Sequence, residues 1–149
     1  MAKFSYKMQN ILDIKFKLEN QAKTNFASAQ AKLEEEQKIL QCLKNKRMEY
    51  EQEYKERLNS ALNIRELNFY VQSIEISKEK IKQQLVQVVA AEKNVEAARA
   101  HLQEVVQERK THEKLKEYAF DEYVKELNAA ESKEVDELVS YSYGKAVSE

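Results

Sequence analysis

Few side chains of this sequence could do chemistry, and their spacing argues against a reactive site. His101 and His112 stand eleven residues apart, whereas paired metal ligands on one helix face stand four apart. Cys42, the single cysteine, has no His or second Cys beside it to complete a metal site or activate its thiol. A phosphate-binding loop needs several glycines, and the one glycine is Gly144. The sequence therefore predicts no enzyme, no metal and no cofactor.

Acidic side chains are abundant, but acid–base catalysis needs a cleft that shifts their pKa values, and the composition predicts none. The chain has 149 residues, no proline, one glycine and 34% charged residues, so it lacks the residues that punctuate turns and strands. Its 42% hydrophobic share leans on Ala and Tyr and suffices for one narrow apolar seam. We expect an all-α protein made of long helices.

Charge and hydropathy limit the partners and the compartment. A formal net charge of -1, with Lys and Glu interleaved, predicts no nucleic-acid binding. The opening MAKFSYKMQN has no apolar core of a secretion signal, and no window has the roughly 18 to 20 apolar residues of a membrane span. A single cysteine fits a reducing compartment, so we expect a cytoplasmic protein. The apolar stripe of Phe4, Met8, Ile11 or Leu12, and Leu18 is typical of a membrane-surface helix as well as of helix packing, and we favour packing.

Apolar residues recur at alternating steps of four and three in two stretches, which is the spacing of a coiled-coil seam. The first stretch predicts a helix over about 5–58 and the second a helix over about 64–143. Charged residues interrupt the second seam, and Cys42, at a flanking position, is expected to be half-buried. The predicted seam positions are Ala22, Phe26, Ala29, Leu33, Glu36, Leu40, Leu43, Arg47, Tyr50 and Tyr54, then Leu67, Val71, Ile74, Lys78, Ile81, Leu85, Val88, Glu92, Val95, Arg99, Leu102 and Val106.

Between the two stretches, LNSALNIREL (residues 58–67) clusters Asn and Ser and loses the heptad phase, which predicts a turn at about 59–63. Asn63, followed three residues later by Glu66, is a capping-box arrangement, in which each side chain satisfies a free N–H of the first helical turn. A new helix is therefore expected to begin after Asn63. Gly144, suited to a left-handed C-terminal cap, is predicted to end it.

A reversal near residue 61 predicts an antiparallel two-helix coiled coil, an α-helical hairpin, that forms one domain over residues 1–149. The charges agree, because residues 1–30 carry a net +3 and residues 111–149 a net -5, so the two ends attract. Phe4 then lies near Tyr118, and the second helix extends beyond the first from about residue 120. An antiparallel dimer satisfies the charges equally well, but the cap at Asn63 favours the hairpin.

The two ends of the chain carry ordered motifs. The opening FSYKMQNILDIKFKLENQA combines aromatic residues, Met, Gln, Ile-Leu-Asp, basic residues, Glu and Ala. The closing HEKLKEYAFDEYVKELNAAESKEVDEL contains Glu-Lys-Leu-Lys, then Tyr, then Lys-x-x-Asp-Glu. In this order, and with the break near residue 60, essentially the whole chain resembles the FliJ family of flagellar type III export proteins.

The resemblance implies a non-enzymatic stalk at the cytoplasmic face of the flagellar basal body, similar to the γ subunit of rotary ATP synthases. It implies that the end bearing both termini inserts into the pore of the hexameric export ATPase, FliI, and promotes ring formation. It also implies contact with the export gate protein FlhA and with free export chaperones. Any membrane association would be peripheral, through the export apparatus.

Two sets of contact residues follow from the resemblance. The family's gate-binding pattern matches YVQSI, early in the second helix. The heptad spacing puts the two isoleucines of this set in the seam, so the tyrosine and the serine, on the flank, are the better candidates. The ATPase contact falls in ESKEVDEL, beyond the reach of the first helix. The gate candidates are Tyr70, Ile74, Ser77 and Ile81, and the pore candidates are Lys133, Val135, Asp136, Glu137 and Leu138.

One departure concerns the tail. Many relatives continue after Asp-Glu with a run of arginines, whereas this sequence has VSYSYGK, with Tyr141, Tyr143 and Lys145. A pore contact made there through arginines would have to be made differently here. The alternatives to a flagellar stalk are the equivalent stalk of a virulence injectisome and a structural coiled-coil tether unrelated to an ATPase.

Overall fold

The computed structural model describes residues 3–61 and 63–147, and in these residues it contains two long helices and no strand. Helix α1 spans Gln9–Leu58 and helix α2 spans Ile64–Val147. The two helices pack against each other as an antiparallel hairpin coiled coil, which confirms the predicted fold class. The chain divides into two compact units. We call Met1–Glu19 with Glu104–Glu149 the terminal unit, and Asn20–Gln103 the turn unit.

Both outer ends of the helices differ from the predicted ones. Helix α1 begins at Gln9 and not near residue 5, because the N–H of Gln9 donates to the Tyr6 carbonyl oxygen (3.1 Å) in a turn that precedes the helix. Helix α2 continues through Gly144 to Val147, and Gly144 does not have a positive φ. A single glycine costs a helix about 1 kcal/mol, and α2 continues through it without a left-handed cap at that position.

The α1 side of the seam in the turn unit is the predicted one. All ten predicted positions from Ala22 to Tyr54 are buried or half-buried, which confirms the spacing of four and three. Cys42, expected to be half-buried, is exposed. The reason is that Leu40 and Leu43 on either side of it occupy the two seam positions of that turn, and the thiol lies outside them.

The α2 side of the seam is only half as predicted. Leu67, Ile74, Ile81, Val88 and Val95 are buried or half-buried as expected. The positions predicted between them are wrong, since each is exposed and the residue one before it faces α1 instead. Charged side chains avoid the cost of desolvation in this way, and small ones let the helices approach. The exposed positions are Val71, Lys78, Leu85, Glu92 and Arg99, and the residues that replace them are Tyr70, Ser77, Gln84, Ala91 and Ala98.

A polar contact lies inside the turn-unit seam, next to the apolar cluster of Leu40, Ile81 and Val88. Glu36 is 8% exposed. The side-chain amide of Gln84 donates both to the Glu36 carboxylate and to its backbone oxygen (3.0 Å), and Lys32 Nζ lies 2.9 Å from the second carboxylate oxygen. The hydrogen bond from Gln84 and the contact with Lys32 hold the pKa of Glu36 below its ordinary value of 4.5.

This lowered pKa predicts an acid-sensitive contribution to stability. Because the folded pKa lies below the unfolded one, the stabilisation is present above about pH 4.5 and is lost as pH falls through the folded pKa. We expect the free energy of unfolding of Glu36→Gln, measured in urea, to fall less steeply below pH 4.5 than that of the unmodified protein. Glu49→Gln, at an exposed position of α1, is the control. An unchanged acid limb in Glu36→Gln would contradict the role of this carboxylate.

The turn between the helices is closed by a cap on α2. Asn63 Oδ1 accepts a hydrogen bond from the N–H of Arg65 (3.0 Å), as the capping motif predicts. Glu66, expected to complete the box, instead has its carboxylate 3.6 Å from the guanidinium of Arg57, at the end of α1. Leu62, which the predicted turn includes, lies outside the described residues.

The cap gives a stability prediction. Asn63→Ala is expected to lower the free energy of unfolding by about 1 kcal/mol, because it leaves N–H groups of the first turn of α2 without an acceptor. Asn68→Ala, the same substitution at an exposed position inside α2, serves as the control and should be neutral or slightly stabilising. Urea unfolding of the two variants measures the difference, and equal values would show that Asn63 contributes nothing as a cap.

The terminal unit is held by a mixed seam. Leu12 and Val105 are buried, and so is the carboxylate of Glu19, at 5% exposure. Arg109 binds Glu19 through two nitrogens (Nε to Oε2, 2.7 Å; Nη2 to Oε1, 3.3 Å) and Glu113 through Nη1 (2.9 Å). Lys15 adds an ion pair with Glu108 at 3.0 Å. The register of this unit therefore depends on charge pairs as much as on apolar packing.

Aromatic rings close this seam at the start of the chain. The Phe4 ring lies 5.2 Å from the Phe120 ring and 5.3 Å from the Tyr123 ring, centroid to centroid. The expected neighbour, Tyr118, is 59% exposed. The rings that Phe4 contacts thus follow the expected neighbour by two and by five residues.

Candidate partner-binding surfaces

The last part of α2 is a helical segment that no described residue of the terminal unit covers. Among the side chains that the structure describes, Leu127 is the last half-buried one, and every residue over 128–145, which we call the tail, is exposed. A helix needs an apolar face packed on something to be stable in water, because propensity alone is marginal. The tail is therefore the part of this unit that has the most to gain from a partner.

The tail has two different faces. Val135, Leu138 and Val139 follow at i, i+3 and i+4, so they form one apolar stripe, with 56% to 66% of each side chain exposed. Lys133 and Glu137, also i and i+4, lie on the opposite face, and Asp136 lies between the two faces. The five predicted pore residues are thus all exposed, but they do not share one surface.

Two further tail residues belong to the apolar side. Val139 extends the stripe, and Tyr143, 73% exposed, follows it by four residues. The prediction omitted both because it followed the motif ESKEVDEL, which stops at Leu138. The signal was present in the sequence, since helical steps of four lead from Val135 to Val139 and on to Tyr143.

The predicted gate residues are located in the seam and on its edge. Ser77 is 6% exposed and Ile81 8%, and Ile74 and Tyr70 are half-buried. The expectation that Tyr70 and Ser77 lie on the flank is therefore wrong, since they occupy the seam positions that were assigned to Val71 and Lys78. While α1 covers this stretch, Ser77 and Ile81 offer little surface to another protein.

Two exposed apolar side chains of α2 each stand one residue before a predicted gate residue, Phe69 before Tyr70 and Ile76 before Ser77. Phe69 and Ile76, each 57% exposed, stand seven residues apart on one outer face of α2. Phe69 packs edge-on against Tyr70 (5.4 Å) and against Tyr50 of α1 (6.4 Å). Tyr50, Phe69 and Tyr70 thus form an aromatic cluster in which Phe69 is the exposed ring. The prediction from sequence did not include Phe69 and Ile76. It placed steps of four and then three along the α2 seam, whereas the structure has steps of three and then four.

Neither a metal site nor a membrane span finds support among the described residues. Their His, Cys, Asp and Glu side chains nowhere group in threes that could hold a metal ion. His101 is exposed, and His112 is half-buried, with its Nδ1 buried and without a hydrogen-bond partner. Over residues 3–61 and 63–147, no helix has the length and apolar character needed to cross a membrane.

Comparison with known proteins agrees with this architecture. A solved structure of a protein from Chlamydia trachomatis, described as a YscO homologue, superposes with a TM-score of 0.77, at 22% sequence identity and over 95% of this chain and 96% of that one. At this identity the likeness shows the fold. The comparison with curated protein sequences gave no match.

The family follows from the sequence over nearly its full length. The family model described as flagellar FliJ protein matches residues 4–148, which include the opening motif, both helices and the tail. Proteins of this family are structural stalk components of type III export and associate with the export apparatus. A chain with two packed helices, an uncovered acidic tail and this match belongs to the FliJ family and is a stalk component of type III protein export.

Proposed function

We propose that this protein is the stalk of the flagellar export ATPase, and that its tail enters the central pore of the hexameric ring and promotes ring assembly. The observation that carries the proposal is the apolar stripe of Val135, Leu138 and Val139, which stays exposed on a helix without internal cover. A pore lined by apolar and basic side chains would bury this stripe and neutralise the acids beside it. The protein would act in the cytoplasm, at the face of the basal body.

The tail carries net negative charge, since Glu131, Glu134, Asp136 and Glu137 outnumber Lys133 and Lys145. The ATPase surface that receives it is therefore proposed to be basic. This arrangement replaces the arginine-based contact of many relatives with one of the opposite polarity. It predicts that association with the ATPase weakens as ionic strength rises.

The experiment that tests the proposal mixes the purified chain with its cognate export ATPase. We expect hexamers to form at lower ATPase concentration and the turnover of ATP to rise, because the tail stabilises the assembled ring. Analytical ultracentrifugation and a phosphate-release assay measure the two effects. A turnover that stays flat while the chain is titrated to a large excess would favour a structural tether unrelated to an ATPase.

For the export gate, we propose that contact is made by the exposed aromatic cluster around Phe69 and not by the buried residues Ser77 and Ile81. Phe69 and Ile76 supply apolar surface, and half-buried Tyr70 lies at its edge. Ser77 and Ile81 then support the contact by holding α2 against α1. Binding of free export chaperones is also part of the proposed function, with no residue assigned to it.

This assignment predicts that Phe69→Ala weakens binding of the gate protein by about ten-fold or more, because an exposed aromatic anchor is lost. Tyr118→Ala, at an exposed aromatic residue of the terminal unit, is the matched control and should bind normally. Biolayer interferometry with the immobilised cytoplasmic domain of the gate protein measures both. Equal affinities of the two variants would move the contact away from this cluster.

A further inference from the structure

The terminal unit contains an open cleft that the proposed tail and gate contacts do not use. It lies between the start of α1 and α2, and it combines apolar, aromatic and acidic side chains. The residues that line it are Phe4, Gln9, Leu12, Phe16, Glu113, Lys116, Glu117, Phe120 and Asp121. Partly exposed aromatic rings beside carboxylates are unusual for a surface that only faces water.

The aromatic part of the cleft presents ring faces and edges to an incoming group. Phe120 is 47% exposed and Phe16 39%. Phe4 packs edge-on against Phe120, with an interplanar angle of 77°. Phe4 thereby fixes the Phe120 ring, so that its exposed surface is pre-organised. A flat cation can bind such rings through the negative charge of their faces.

The acidic part lies along one side. Glu113, Glu117 and Asp121 follow each other at steps of four on α2, so they share a helix face. Glu113 already binds Arg109 at 2.9 Å. Besides Glu113, the lining of the cleft holds two acids, Glu117 and Asp121, and one cation, Lys116. One negative charge of the cleft is therefore not compensated by the lining.

Another contact in the terminal unit shows which cation suits a site made of aromatic rings and carboxylates. The Arg109 guanidinium lies 5.6 Å from the centre of the Phe16 ring while its nitrogens bind Glu19 and Glu113. Stacking on an aromatic ring together with forked hydrogen bonds to carboxylates is characteristic of guanidinium and not of ammonium. A second guanidinium between Phe120 and the pair of Glu117 and Asp121 would repeat this arrangement.

We propose that the cleft is a binding site for an arginine side chain presented by a protein partner. The guanidinium would stack on Phe120 and donate to Glu117 and Asp121, and its charge would offset the excess negative charge of the cleft. The aliphatic part of the arginine would pack on the exposed part of Phe16. The proposal does not rest on the role of the tail, because it concerns different residues.

The test uses the full chain with 13C-labelled phenylalanine and, as probe, N-acetyl-arginine amide followed by NMR. We expect saturable shifts of the Phe4, Phe16 and Phe120 ring signals, with unchanged signals from Phe69 of the turn unit. N-acetyl-citrulline amide, a neutral isostere, should produce no saturable shift. N-acetyl-lysine amide should bind more weakly than the arginine probe, because it cannot stack in the same way.

Variants make the assignment specific. Glu117→Gln with Asp121→Asn, and separately Phe120→Leu, should each weaken binding of the arginine probe about three- to five-fold or more. Glu126→Gln, at an exposed position of the same helix, should leave it unchanged. Circular dichroism verifies that each variant is folded. Equal shifts with arginine and citrulline, or equal shifts at Phe69 and Phe120, would overturn the proposal, and neither result depends on an ATPase.

Discussion

Truncation after Leu127 is expected to abolish stimulation of the export ATPase while leaving the rest of the protein folded. The described residues that pack in the terminal unit end at Leu127, so removal of 128–149 takes away the exposed side chains of the tail and no described seam contact. Helical content should fall by the length of the tail, and thermal unfolding should change little. ATP turnover with the truncated chain should match that of the ATPase alone. Full stimulation by the truncated chain would place the contact elsewhere.

Point variants separate the two faces of the tail. Val135→Asp together with Leu138→Asp puts two charges on the apolar stripe, and we expect it to reduce stimulation as strongly as the truncation does, because both charges would be desolvated in the pore. Lys133→Ser, on the opposite face, is the control and should retain most of the stimulation. If the control variant is as impaired as the stripe variant, the whole circumference of the tail is in contact.

The second large effect concerns the seam. Ile81→Ala is expected to lower the free energy of unfolding by about 3 kcal/mol, because Ile81 is 8% exposed and packs with Leu40 and Val88. Leu85→Ala, at a position that the heptad spacing also assigned to the seam but that is 43% exposed, should cost less than about 1 kcal/mol. Urea unfolding with a common m value provides the comparison. Similar losses in the two variants would restore the register predicted from sequence.

This pair of residues shows how far the sequence specifies the fold. Helix α1 was predictable because most of its seam positions carry apolar or aromatic residues at regular steps, and the break at Asn63 was predictable because capping depends on local chemistry. In α2 the positions between the large residues carry Ser77, Gln84, Ala91 and Ala98, whose hydropathy is weak. The predicted register therefore followed the apolar neighbours Val71 and Leu85, and its regular spacing took in the charged Lys78, Glu92 and Arg99 with them. Only the partner helix, which supplies Glu36 for Gln84 to bind, decides the choice.

The candidate partner-binding surfaces likewise include one that the sequence predicts and others that it does not. That Val135 and Leu138 would stay uncovered could be inferred from chain length and the position of the turn. The exposure of Phe69 and the burial of Ser77 could not, since they depend on a one-residue shift in the order of seam steps. The cleft beside Phe120 was equally inaccessible, because it requires two helices in a known register.

The polar contacts inside the two seams have a mechanical consequence. Sliding α2 along α1 by one heptad moves it about 10 Å, and with so many small side chains in the turn-unit seam, such as Ala29 and Ala91, the apolar packing would change little. The same movement would pull Glu36 away from Gln84. In the terminal unit it would pull Glu19 away from Arg109. In each unit a nearly buried carboxylate must therefore lose its hydrogen-bond donor before a new register can form. A force along the helix axes would meet this energy barrier to sliding in both units.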